Sequence, residues 1–180
     1  MALKWNRVSG GFLLGMALAM LVLPLPWLLA ALVAAAFHEL CHYAAIRAFC
    51  GKGTSLSLNA QGARMILPPM SRGREAICAL AGPLGGLLLL LFVRRIPQVA
   101  LCAAFQSCFN LLPVYPLDGG RALQSLLSMV CNPNLCRILC NTVALICRIL
   151  ICILALYGTF CLHLGVFPLL MAGVLLLRGK

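Results

Sequence analysis

The 180 residues run as a series of apolar stretches of about membrane-crossing length, and only three acidic residues, Glu39, Glu75 and Asp118, interrupt them. An apolar run of about 20 residues is long enough to cross the hydrocarbon core as a helix. Soluble domains are about half apolar and a quarter charged. Here 63% of the residues are hydrophobic and 9% are charged, so the expected class is a membrane protein. At about 20 residues per span the length holds roughly five or six helices and little else. The expected fold is therefore all-α and polytopic, with about six transmembrane helices. It forms one transmembrane domain over residues 1–180, with its core at about 27–130 and no separate soluble domain.

The net charge of +11 does not indicate nucleic acid, because the bases are spread over short loops and ends rather than gathered in one patch. The eleven cysteines do not indicate a disulfide framework. They sit inside apolar runs such as Leu145–Ile153, where a free Cys behaves as a small hydrophobe. No C-x-x-C pair is present, which argues against a thiolate metal site at the usual spacings. Lys4 and Arg7 precede an apolar run as in a signal peptide. A second long run follows at once, so the expectation is a retained first helix.

The first apolar run covers about 8–23 and ends at Pro24-Leu-Pro26. The second covers about 27–49, opening on Trp27 and ending near Arg47. Residues 50–72 are different in kind: Gly51, Gly53, Gly62, Pro68 and Pro69 surround the short stretch Thr54-Ser-Leu-Ser-Leu. That pattern predicts a strand or hairpin associated with the membrane. A third span is expected at about 75–93, interrupted at Ala81-Gly82-Pro83, with Gly82 and Gly86 allowing a neighbouring backbone to approach. A fourth, about 97–112, breaks at Pro113 and Pro116 and resumes after Asp118 to about 130. Asn132-Pro-Asn134 reads as a turn before spans five, about 136–157, and six, about 160–177.

The loops fix an expected orientation. The N-terminus, the 47–74 segment, the 131–137 turn and the C-terminus hold ten of the bases, and the opposite side holds only Arg94 and Arg95. The positive-inside rule then puts both termini in the cytoplasm of a multi-pass cell-membrane protein. The second half of span two lies toward the cytoplasmic face.

That half carries His38-Glu39-Leu40-Cys41-His42. In a chain this poor in His and Glu, chance placement of H-E-x-x-H is roughly a one-in-a-thousand event. Residues i and i+4 share a helix face, so both imidazoles can point at one cation. Glu39 stands beside the metal position without ligating it, where a carboxylate can take a proton from an activated water. Three unsatisfied polar groups in an apolar helix would be costly, which speaks against a coincidental motif.

A catalytic zinc needs a third protein ligand and an open position for water. Asp118 is favoured. A charged Asp at membrane depth costs about 2.5–3.5 kcal/mol on insertion scales and is usually functional. Pro113 and Pro116 break the helix before it, and Gly119-Gly120 allow close backbone approach. Pro-x-Asp-Gly is also a common turn, so the assignment leans on the histidine motif. Glu75 is a rival, but it stands beside Arg72 and Arg74 at the expected interface, where an ion pair is cheap. His163 is a weaker rival near the outer end of span six. By its chemistry, Asn110 is either an interhelical hydrogen-bonding group or an amide that holds substrate backbone or a developing oxyanion.

These residues resemble the site-2 protease family of intramembrane zinc metalloproteases. Asn110-Leu-Leu-Pro-Val-Tyr-Pro-Leu-Asp-Gly-Gly120 looks like that family's Asn-Pro-Asp-Gly signature, and Ala81–Gly86 resembles its glycine motif. The six-span plan with the zinc helix second is most similar to the sporulation branch, stage IV sporulation protein FB. The resemblance covers about residues 30–130. It implies a zinc metalloendopeptidase with one zinc per chain, held by His38, His42 and Asp118, and with Glu39 as general base. It implies that Asn110 and Pro113 seat an unwound substrate and that the 50–72 hairpin pairs with it as an added strand. The implied partners are a transmembrane or membrane-tethered regulatory protein as substrate, a sporulation pro-sigma factor among them, and the lipid bilayer. A regulatory membrane partner or homo-oligomer is also allowed, and nucleic acid is not expected.

Two other classes remain open. A membrane metal-binding or transport protein could use the same ligands, but would need acids or histidines along a pore that the other spans do not supply. A catalytically silent membrane chaperone would not need Glu39.

Overall fold

The computed structural model describes residues 5–6, 24–50, 55–59, 62–66 and 70–161, and beyond them only 163, 165, 169, 172 and 173. The expected first span and most of the sixth lie outside the described residues, as do Gly51, Gly53, Pro68 and Pro69 around the expected strand segment.

The described residues are mostly helical. The first helix, α1, is Leu25–Cys50. It starts where Pro24 offers its carbonyl to the N–H groups of Trp27 and Leu28, at 3.0 and 3.1 Å. Pro26 falls in the first turn, where a missing N–H costs nothing. Three strands precede the next helix or pair beside it: β1 is Trp5–Asn6, β2 is Ser55–Asn59 and β3 is Gly62–Ile66. β1 runs parallel to β2, and β2 pairs antiparallel with β3 from Ser55↔Ile66 to Asn59↔Gly62.

α2 is Arg72–Leu88, continued by a tighter 3-10 turn over Leu89–Phe92. The expected interruption at Ala81-Gly82-Pro83 does not occur: Pro83 stands inside an unbroken helix. Proline removes one backbone hydrogen bond, to the Ala79 carbonyl, and apolar membrane helices tolerate such a loss when neighbours fill in around it. Pro83 and its neighbours Gly82, Gly85 and Gly86 are buried.

α3 is Pro97–Asn110, α4 is Asp118–Val130 and α5 is Pro133–Phe160. The expected fourth span is thus two helices of 14 and 13 residues. Each alone is too short to cross a bilayer. Among the described residues, three helices are long and apolar enough to cross a membrane: Leu25–Phe49, Arg72–Phe92 and Pro133–Phe160. Asn132-Pro-Asn134 is a helix start rather than a turn. The Leu135 N–H donates to Asn132 Oδ1 at 2.8 Å, and Pro133 takes the first helical position, the arrangement a side-chain N-cap requires.

The chain divides into two compact units, Met1–Phe109 and Asn110–Lys180. In the first, α1 packs on α2 through small residues. Ala34, Ala76, Ala79 and Gly82 are buried, and this is how membrane helices approach closely. In the second, α4 packs on α5, and the Cys136 thiol reaches the Gln124 carbonyl at 3.6 Å. Large apolar side chains are exposed along α1, α2 and especially α5, from Leu135 to Phe160. Contiguous exposure on that scale does not suit water; it suits lipid. The ten cysteines whose side chains are described are all free thiols.

Candidate metal centre

His38 and His42 lie four residues apart on α1, so the helix puts them on one face. That face is the one turned to α2, and both residues are buried, at 2% and 8% exposure. Their Nε2 atoms stand 3.1 Å apart, and the rings meet edge to face with centroids 4.8 Å apart. Two nitrogens each about 2.0–2.1 Å from a single tetrahedral zinc are about 3.3 Å apart. The observed separation is close to that value.

The Nδ1 of His42 lies 2.7 Å from the carbonyl oxygen of Cys78 on α2. A carbonyl only accepts, so Nδ1 must carry the proton. The Nε2 lone pair of His42 is thereby directed toward His38. Metal-ligating histidines are oriented in this way, by giving their second ring N–H to a carbonyl or carboxylate.

Gly82, one turn beyond Cys78 on α2, makes room for the ring. A Cβ built on Gly82 would come within 2.6 Å of His42 Cδ2 and closer still to Nε2. The close neighbour at Gly82 is therefore an imidazole side chain, not the helix backbone expected from sequence. Gly85 does the same for Cys41, whose Cβ would lie 2.9 Å away, and Gly86 for the Ser107 hydroxyl. Neither Cys78 nor Gly82 carries a sequence signal of its role toward His42. They are four residues apart, so one turn of α2 offers a carbonyl and a gap together. Nothing local connects them to His42, which is 36 residues from Cys78.

Glu39, next to His38, is half-buried. One residue's rotation on the helix separates it from the histidine face.

In the second unit, Asn110 ends α3, residues 111–117 fold as a non-helical segment, and Asp118 opens α4. Val114 is fully buried. Backbone bonds tie the segment to itself: Val114 N–H to Leu112 O at 2.8 Å and Leu117 N–H to Val114 O at 2.9 Å. Gly119 and Gly120 lie against it. A Cβ on Gly119 would be 2.7 Å from the Leu112 oxygen, and one on Gly120 the same distance from the Val114 oxygen. The two glycines thus let the proline-containing segment press on the first turn of α4. Asp118 is at the helix N-terminus, where a negative charge is favoured by the exposed N–H groups. Its carboxylate is 13% exposed and lies 3.9 Å from the Arg121 guanidinium. Asn110 and Pro113 are both half-buried.

The two rival residues are elsewhere in kind. Glu75 receives a hydrogen bond from Arg72 at 3.1 Å on the surface of the first turn of α2. His163 is exposed and outside any helix, with a positive φ of 52°.

The fold is that of a membrane protein built of apolar helices, and the two buried imidazoles are donors that could bind a metal ion. Among solved structures the chain is similar to a site-2 protease from Methanocaldococcus jannaschii. The TM-score is 0.64 at 20% sequence identity, covering 93% of this chain and 84% of that one. At that identity the likeness is one of fold. No family model matches the chain, and no curated protein matches it.

Proposed function

We propose that the chain is an intramembrane zinc metalloendopeptidase of the site-2 protease type. The observation that carries the reading is the His38–His42 pair: two buried Nε2 atoms 3.1 Å apart on a membrane-length helix, one fixed in tautomer by the Cys78 carbonyl. Similarity of fold to a site-2 protease supports it.

His38, His42 and Asp118 would hold one zinc per chain. When bound, the ion supplies Lewis acidity, which lowers the pKa of a water and polarises a carbonyl. Glu39 takes the proton from the attacking water and returns it to the leaving amine nitrogen. Asn110 and Pro113 seat the substrate backbone, which must be unwound, because helical carbonyls are already hydrogen-bonded. Among the described strands β3 stands at the edge of the sheet, along which such a segment can add. The substrate is a transmembrane or membrane-tethered protein. One histidine-bearing turn and one aspartate in an apolar chain give no continuous path of ligands for metal transport.

The finer reading is a single domain of six spans with both termini cytoplasmic and the centre toward that side, resting on the distribution of bases. A place beside stage IV sporulation protein FB, with a pro-sigma factor as substrate, rests on the zinc helix being second.

Glu39→Gln tests the mechanism. In cells co-expressing a membrane-tethered candidate substrate, the variant should keep its zinc and lose cleavage by about 10²–10⁴-fold, the range for a general acid–base group. Cleavage that persists with zinc still bound removes Glu39 from the chemistry.

A further inference from the structure

Most cysteines of this chain stand far apart along it, and one pair does not. Cys136 and Cys140 alone have the i, i+4 spacing that sets two side chains together on a helix face, and no two cysteines are three apart. They are the fourth and eighth of the 28 residues of α5. A helix of that length is about 42 Å long, against about 30 Å of hydrocarbon core. Its first turns therefore lie near the headgroups, within reach of an ion from water.

The two thiols are joined. Cys136 donates to the Gln124 carbonyl of α4 at 3.6 Å. That uses its one hydrogen, so in the hydrogen bond between the two cysteines the Cys140 thiol donates and the Cys136 sulfur accepts. Cys136 is buried and Cys140 half-buried, and both are free thiols. Two sulfurs thus meet in a pocket that is partly open on the Cys140 side.

The donors select the ligand. Thiolates favour soft ions such as monovalent copper, which is satisfied by two sulfurs in line. Zinc takes four ligands in a tetrahedron. Among the described residues no third His, Cys, Asp or Glu ligand atom gathers with this pair, and the Gln124 carbonyl is a hard oxygen. Two bare thiolates in apolar surroundings are disfavoured, and a monovalent cation between them cancels half of their charge. The remainder is favoured by position. Cys136 stands in the first turn of α5, where the helix end prefers negative charge. The exposed Arg137 is three residues before Cys140, a neighbouring place on the helix surface.

We propose that Cys136 and Cys140 form a two-sulfur site for monovalent copper, which uses none of the residues of the His38–His42 centre. Binding makes two copper–sulfur bonds and releases both thiol protons to water; no electron moves. It also ends the donation from Cys136 to Gln124, so copper removes one contact between α4 and α5.

The test titrates the purified full chain, in detergent and without oxygen, with monovalent copper held by bicinchoninate. The chain should take one tightly held copper from the chelator. Peptide mass spectrometry should show that this copper shields Cys136 and Cys140 from N-ethylmaleimide, and does not shield Cys147 or Cys152 of the same helix. Cys136→Ser and Cys140→Ser should each weaken binding by more than the about 10–100-fold of a lost outer partner. Cys147→Ser and His38→Ala should leave it unchanged. Failure of the natural chain to compete with bicinchoninate overturns the proposal, as does shielding of Cys41 in place of the pair, and neither result needs a variant to fold. Unchanged copper affinity when both Cys136 and Cys140 are replaced by Ser also overturns it.

Discussion

The His38–His42 turn and the Asn110–Asp118 segment bring polar groups into an apolar chain by opposite means. The first keeps the helix regular. α1 runs unbroken from Leu25 to Cys50, the period of 3.6 sets the imidazoles on one face, and the neighbouring helix makes way through Gly82. The second abandons the helix. Pro113 and Pro116 end α3 and delay α4, and the freed backbone is satisfied by short-range bonds and by two glycines that accept it at contact distance. A regular element gives precise side-chain geometry with little local cost. A broken one brings backbone and a charged side chain to a chosen depth, and it is tolerated only where protein covers it.

The difference can be broken from either side. On the helical side, Gly82→Val should have the larger effect. The new side chain occupies the position of the His42 ring, so the Cys78 hydrogen bond is lost, and zinc affinity should fall by about 10–100-fold, the range for a lost orienting partner. Competition with a chelator measures this, and unchanged affinity would mean that the ring's placement against α2 is not what orients it. On the broken side, Gly120→Ala should cost about 1–3 kcal/mol of stability by overpacking against Val114 and Tyr115. Thermal unfolding in detergent reads that loss. The two variants should differ in kind, the first altering metal before stability and the second stability before metal.

Smaller effects sharpen the contrast further. Asn132→Ala removes the cap of α5 and should lower stability by about 1 kcal/mol while leaving any cleavage intact. Glu75→Gln breaks only a surface ion pair, worth about 0–1 kcal/mol, and should change neither zinc content nor cleavage. His163→Ala should be equally silent. A loss of zinc in either would return those residues to the ligand set.

The histidine side was largely legible in the sequence, because helical period is a local property and His38, Glu39 and His42 declare it within one turn. The break before Asp118 was legible for the same reason: Pro113 and Pro116 act on their own neighbours. Pro83 was misread because the same local rule is overridden by packing, since a proline flanked by glycines in a close helix contact can stay helical. Asn132 was read as a turn residue when it is a cap; both roles use the same side-chain oxygen, and only the following backbone distinguishes them. The Cys78 carbonyl and the room at Gly82 could not be read at all, because they depend on how α2 is set against α1.

The central claim is that the His38–His42 pair is the framework of a zinc site. The most direct measurement is the metal content of the purified chain by mass spectrometry, for the natural sequence and for Glu39→Gln, His38→Ala and His42→Ala. The expected result is one zinc per chain in the first two and a substoichiometric content in both histidine variants. Absence of stoichiometric zinc in the natural chain, or full retention when either imidazole is removed, would contradict the account.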